Sequence, residues 1–414
     1  MGLSTMTLSA APSARTQASE PSVKQTAQHN FAIGYLRAFI TVLVLAHHAV
    51  LAYHPYAPAP VKSLLAQPRS WGAFPVVDIQ RWTPFSFFVS FNDIFFMALM
   101  FFLSGLFVWQ SLQRKGSGGF LGDRAKRLGI PFVVTAVFLA PLAYYPTYLQ
   151  TGATGIAGFL HQWRLLGSWP VGPAWFIWLL LAFDCVAALL FALTPKWGEA
   201  LGRISSTASR RPFIFFGSLV VVSASAYIPM ELIFNGFSWA SFGPFFFQTS
   251  RLLLYAVYFL AGIGVGAYGI ERGLLASGGK LARCWFRWIP ASLLTFAATV
   301  VLFIATFAVH NAPRFWEGLS DFAFVTCAAA TSFAFLALFL RFVAKQKSIF
   351  DSLSANAYGM YLIHYIFISW LQYAFLQSHL HPAAKGSIVF IGTLLLSWTI
   401  TAAIRRIPFV GKVV

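Results

Sequence analysis

Two side chains eleven positions apart carry the first chemical signal in this chain. Residues 31–53, FAIGYLRAFITVLVLAHHAVLAY, are long and apolar enough to cross a bilayer as a helix, yet they contain Arg37, His47 and His48. Ionisable groups inside a span are costly and generally face a bundle interior or a polar cavity, which makes them functional candidates. At about 100° per residue Arg37 and His48 share one helix face to within about 20°, separated by about 16 Å along the axis. One helix thus presents a fixed cation and, three turns away, an imidazole able to take a proton from a hydroxyl. His47 points about 100° away from His48, so at most one of the two looks into a given site.

A second span carries Asp93 in FNDIFFMALMFFLSG, at a depth similar to that of His48. Paired with His48, this carboxylate would fix the imidazole tautomer and stabilise the imidazolium; the alternative is that Asp93, after Asn92, caps an irregular helix start. Arg124 and Arg127 stand in GDRAKRLGIP, one turn apart and able to face one anion together, unless they only obey the bias of basic residues towards cytoplasmic loops. Asp184 and His364 lie near mid-membrane in the fourth and ninth spans, where helix packing competes with chemistry as their role. His364 is flanked by Tyr358, Tyr361 and Tyr365, and Arg251 is expected to snorkel from the outer end of the sixth span. Ser104 has no evident base beside it, and no GxSxG or reactive cysteine setting occurs, so direct attack by an acceptor hydroxyl fits better than a covalent acyl-enzyme.

The elements that must position these groups are transmembrane helices. Of 414 residues 58% are hydrophobic and only 10% charged, against about 25% charged in soluble domains. The net charge of +18 does not point to nucleic acid, because the basic residues cluster in short loops between apolar runs. Ten apolar segments follow one another: 31–53, 85–109, 130–149, 172–193, 213–228, 251–269, 287–309, 319–341, 356–377 and 387–404. Lysine and arginine accumulate in alternate loops, beginning with the N-terminal tail, which puts both termini in the cytoplasm. An all-α polytopic protein of about ten helices is expected. Residues 1–30 read as a disordered cytoplasmic tail, 31–404 as the membrane domain, and 405–414 as a short cytoplasmic tail. Cys185, Cys284 and Cys327 read as small buried hydrophobes. Gly262 and Gly266, four apart in the sixth span, allow close approach of another helix.

The pieces YLRAFITVLVLAHH, FNDIFFMALMFFLSG, FLGDRAKRLGIPF, GPAWFIWLLLAFD and LSANAYGMYLIHY, in this order, resemble the membrane-bound acyltransferase-3 family, which acylates cell-surface sugars in bacteria. The resemblance covers about 31–404, and its most specific element is the Arg followed by ten residues and a His. It implies His48 as the catalytic histidine, Arg37 on the acyl-donor side, and Arg124 and Arg127 as the cytoplasmic arginine pair. Trp175 and His364, within the matching motifs, are the further candidates for substrate contact. Without a soluble domain after the last span, the chain resembles the stand-alone type, including osmoregulated-glucan succinyltransferases. The implied donor is cytoplasmic acyl-CoA, acetyl or succinyl, and the acceptor an extracytoplasmic saccharide or glycan at the bacterial inner membrane. No metal or bound cofactor is required. The competing expectation, a secondary transporter or flippase for a sugar-containing substrate, calls for inverted repeats that are not evident.

Overall fold

The computed structural model describes residues 23–308 and 313–413. The chain opens with α1 (Val23–Val50), which includes residues 23–30 of the expected tail; residues 1–22 lie outside the described residues. A loop over 54–83 leads to α2 (Pro84–Gly105). Next comes a single 43-residue helical rod, Val108–Gln150, built of α3 (Val108–Arg124), a π turn (Ala125–Gly129), α4 (Ile130–Val134), a second π turn (Thr135–Leu139) and α5 (Ala140–Gln150). A short α6 (Ile156–Leu165) precedes α7 (Trp175–Leu193), α8 (Trp197–Arg210) and α9 (Pro212–Phe234). A hairpin of β1 (Trp239–Phe242) and β2 (Phe245–Gln248), antiparallel with Trp239 opposite Gln248, turns at Gly243, whose φ of 58° suits a residue without Cβ. Then follow α10 (Leu252–Tyr268), α11 (Lys280–Arg283), α12 (Trp285–Ala308), α13 (Arg314–Phe342), α14 (Ser348–Ala374) and α15 (Pro382–Ile404).

Eight of the helical segments among the described residues are long and apolar enough to cross a membrane. The other two expected spans are packed helices of the same bundle. One, α10, has only 17 residues; the other, α14, has 27, with buried Asn356, His364, Ser369 and Gln372 interrupting its apolar surface. The protein is therefore an all-α polytopic membrane protein. The basic stretch around Arg124 and Arg127, expected as a loop before the third span, belongs to the continuous rod, which bends at Gly116 (φ 67°). All three cysteines are free, although Cys185 is exposed on the bundle surface and only Cys327 is fully buried.

At the centre α1 packs against α2, α13, α14 and α15, and α2 packs against α10. The α2–α10 contact depends on glycine: a Cβ at Gly262 or Gly266 would overlap the backbone carbonyls of Phe102 and Leu106, and one at Gly105 the carbonyl of Phe259. This close approach fixes the height of Arg251, just ahead of α10, relative to Asp93 on α2.

The end of the bundle expected to face outward is covered by the 54–83 loop. Lys385 Nζ of α15 meets Asp78 Oδ2 at 2.8 Å, both side chains at most 1% exposed. The Arg81 guanidinium donates to the carbonyls of Asp78, His54, Ala57 and Pro58. Gln150 pairs with both backbone groups of Val77, and Tyr144 Oη donates to Gly72 O at 2.6 Å. A loop so thoroughly bonded through its own backbone is a fixed lid rather than a mobile linker.

His54 sits in this lid, with Nδ1 accepting from the Tyr56 amide at 3.2 Å. Burial, and secondarily the Arg81 charge, hold its imidazole below the ordinary value of 6.5. The folded lid therefore favours neutral His54, whereas the unfolded chain takes up the proton near 6.5. Stability contributed by this group is present above that value and is lost as the pH falls through it towards the folded pKa. Thermal melts of the wild type from about pH 7.5 down to 5 should decline in Tm more steeply than those of His54→Gln. Parallel slopes would remove His54 from the pH response.

Candidate active site

The bonding of His48 defines its chemistry. Nδ1 lies 2.8 Å from the Val44 carbonyl one turn back; a carbonyl only accepts, so Nδ1 carries the proton and Nε2 a lone pair. The ring thus points its basic nitrogen away from its own helix, where the His364 ring (5.3 Å between centroids) and the Tyr365 ring (5.4 Å) of α14 face it. Gln372, two turns beyond His364, ties α14 to the end of α1 by donating to the carbonyls of His48 and Ala49 at 3.0 and 3.1 Å. Those carbonyls lie at the end of α1, where it passes into a 3₁₀ turn at Leu51–Tyr53. Sequence reasoning passed over Gln372; its signal is the i, i+4, i+8 stripe His364, Ile368, Gln372, all at most 1% exposed.

His47 takes the other direction, its ring 5.2 Å from that of Phe96 on α2, so the two neighbouring imidazoles serve different sides of α1. The expected pairing of His48 with Asp93 does not form. Asp93 Oδ2 is held by Arg251 Nη2 at 2.6 Å, while Arg251 Nη1 donates to the Asp93 carbonyl at 3.0 Å. The guanidinium also lies 4.9 Å from the Phe324 ring. A permanent planar cation with several donors outcompetes an imidazole for the carboxylate. The imidazole that feels the Asp93 charge is that of His47. Arg251 does not snorkel from the surface; it is 8% exposed, within the bundle.

Arg124 and Arg127 share no ion-pair partner among the described residues, and a π turn, which bonds i to i+5, begins between them at Ala125. Arg124 Nε sits 3.1 Å from Asp184 Oδ2, which is fully buried, and its guanidinium lies 5.0 Å from the Phe120 ring. Asp184 thus has a structural role in the α3–α7 contact. Arg127 is exposed, and its carbonyl accepts from Tyr358 Oη at 2.5 Å. The cation that acts on Arg37 is Arg124. Arg37 is itself exposed and, among the described residues, has no ion-pair partner. Two fixed positive charges from α1 and α3 therefore stand near each other on one side of His48, a combination that distant sequence positions gave no hint of.

Trp175 joins a different cluster, stacked on Tyr255 (5.7 Å, 29°) and edge-on to Trp239 of the hairpin (5.7 Å), with no ring contact to His48 or His364. Ser104 donates its hydroxyl to Met100 O at 2.8 Å, an internal bond of α2.

In this polytopic helical bundle the half-buried His48, with its lone pair on Nε2, faces the His364 and Tyr365 rings, and the exposed Arg37 stands three turns earlier on the same helix. The family follows from the sequence itself: the family model described as an acyltransferase domain, that of the acyltransferase-3 family, matches residues 30–402, so the chain belongs to that family and is an acyltransferase. No curated protein and no solved structure matches the chain.

Proposed function

We propose that this membrane acyltransferase moves an acetyl or succinyl group from a cytoplasmic CoA thioester to a hydroxyl of an extracytoplasmic saccharide, with His48 as general base. The observation that carries the reading is the His48 tautomer: Nδ1–H engaged by the Val44 carbonyl, Nε2 left as a base facing α14. The Nε2 lone pair accepts the hydroxyl proton as the oxygen attacks the thioester carbonyl; the thiolate then leaves, and the imidazolium returns the proton to it. The Val44 carbonyl keeps the ring in register throughout, a part that Asp93 was expected to play. Arg37 and Arg124 are offered to the donor's phosphates, because guanidinium groups bind phosphate oxygens through paired donors. The separation of about 16 Å between Arg37 and His48 along α1 suits an extended pantetheine arm. Arg127, exposed nearby, adds to the field rather than forming a paired clamp with Arg124. A multi-pass protein of the bacterial inner membrane, with both termini in the cytoplasm, would meet CoA on one side and glycan on the other.

The test is CoA release by the purified protein in lipid nanodiscs, given acetyl-CoA or succinyl-CoA together with cell-envelope extract as acceptor. Release from one donor and not the other is expected, with the acyl group recovered on envelope saccharide. Absence of release from both donors overturns the donor assignment.

A further inference from the structure

A narrow cleft runs between the second π turn of the rod, the start of α7 and the middle of α14, lined by Thr135, Leu139, Pro173, Ile177, His364 and Ile366 among others. Its walls are mostly apolar, but two of its polar atoms have no partner: His364 Nε2 and Thr135 Oγ, on side chains 0% and 6% exposed. Buried polar groups are normally satisfied, and an orphan pair lining one cleft, which as it stands has room for about one water, is open to a ligand that displaces that water and bonds both atoms.

The chemistry each atom needs is fixed. His364 Nδ1 lies 2.6 Å from the Tyr361 carbonyl and so carries the proton, which leaves Nε2 an acceptor in want of a donor. The Thr135 hydroxyl is free to donate: it makes no bond to the carbonyl four residues back, the bond that Thr41, Thr295, Thr299, Thr306 and Thr326 make. An N–H and a C=O on adjacent atoms, flanked by methylenes, satisfy both groups and the apolar walls together; that is a secondary amide on an aliphatic chain.

We propose that this cleft seats the first amide of the donor's pantetheine arm, its N–H bonded to His364 Nε2 and its C=O to the Thr135 hydroxyl. The inference rests on the CoA-thioester reading and names the donor subsite. Two methylenes separate the thioester sulfur from that amide nitrogen, about 4 Å in an extended chain. The His48 and His364 rings are 5.3 Å apart, so a thioester placed at His48 brings the amide to His364. His364 then positions the donor and does not exchange protons with it.

The experiment compares three thioesters of the accepted acyl group: the CoA ester, the N-acetylcysteamine ester, which keeps one amide, and the n-butyl ester, which has none. Thr135→Val, isosteric but without the hydroxyl, and His364→Ala should raise KM about tenfold for the CoA and N-acetylcysteamine esters, with kcat little changed. KM for the butyl ester should not move, and Thr135→Ser and His364→Gln, which restore a donor and an acceptor, should recover most of the loss. Equal effects on amide-bearing and amide-free esters, or none on either, overturn the amide subsite while leaving the donor assignment standing. Wild-type protein that turns over no thioester at all overturns both.

Discussion

His48→Ala is expected to reduce acyl transfer by about 10²–10⁴-fold, the usual contribution of a general base, while the protein remains folded and inserted. The two halves of that expectation have separate causes. Activity falls because the nitrogen lone pair that α1 presents to α14 is removed. Folding survives because the polar bond the side chain makes is to Val44 of its own helix, whose carbonyl keeps the backbone partner that helical geometry provides. His47→Ala is the control: its ring packs on Phe96 on the other side of α1, so transfer should persist. Rates from CoA release in nanodiscs, read beside thermal melts of the three proteins, check both halves. Equal rates for wild type and His48→Ala would end the general-base assignment. A larger loss in His47→Ala would move the base to the Asp93 side of the helix.

The second large effect is expected at the Asp93–Arg251 pair, and it is one of stability. Removing one member of a half-buried ion pair leaves the other uncompensated, at a cost below the roughly 3–5 kcal/mol of a fully buried pair and set by how buried the stranded group is. The two single substitutions should differ. Asp93→Ala strands a guanidinium whose side chain is 10% exposed, whereas Arg251→Met strands a carboxylate that is 44% exposed and partly hydrated. Asp93→Ala should therefore lower Tm further than Arg251→Met, and the double variant should be less destabilised than the sum of the two. Melts of the four proteins test the order. The same variants decide what Asp93 does: a carboxylate serving the His48 imidazolium would cost kcat with Tm intact, and a structural one the reverse. Since His47, not His48, faces α2, loss of Tm is the expected result.

Much of the architecture is legible without coordinates because lipid imposes a simple rule. Backbone groups must be satisfied within each segment and side chains facing hydrocarbon must be apolar, so long hydrophobic runs become helices and their number follows. The eleven-residue step from Arg37 to His48 is equally secure, as helical periodicity alone puts both on one face, and the same arithmetic separates His47 from His48. Gly262 and Gly266 likewise announce a close helix contact before its partner is known.

What periodicity leaves open is which helix stands opposite which residue. Asp93 and His48 share a depth, but depth does not set azimuth; the glycine-mediated packing of α10 on α2 delivers Arg251 to Asp93 first. Arg124 and Arg127 have different surroundings, and a π turn begins between them in a rod whose sequence reads as a loop followed by a helix; no local propensity marks a π turn. His364, Gln372 and Thr135 gain meaning only when α14 and the rod are placed beside α1, bringing together positions as far apart in the chain as His48 and Gln372, 324 residues. The sequence by itself determined the membrane class, most of the helix inventory, the family and the placement of Arg37 and His48 on one helix face, since these depend on composition, motifs and the geometry of one helix. The tertiary structure alone decided the partners of Asp78, Asp93 and Asp184, because pairing between helices depends on packing that no single helix contains.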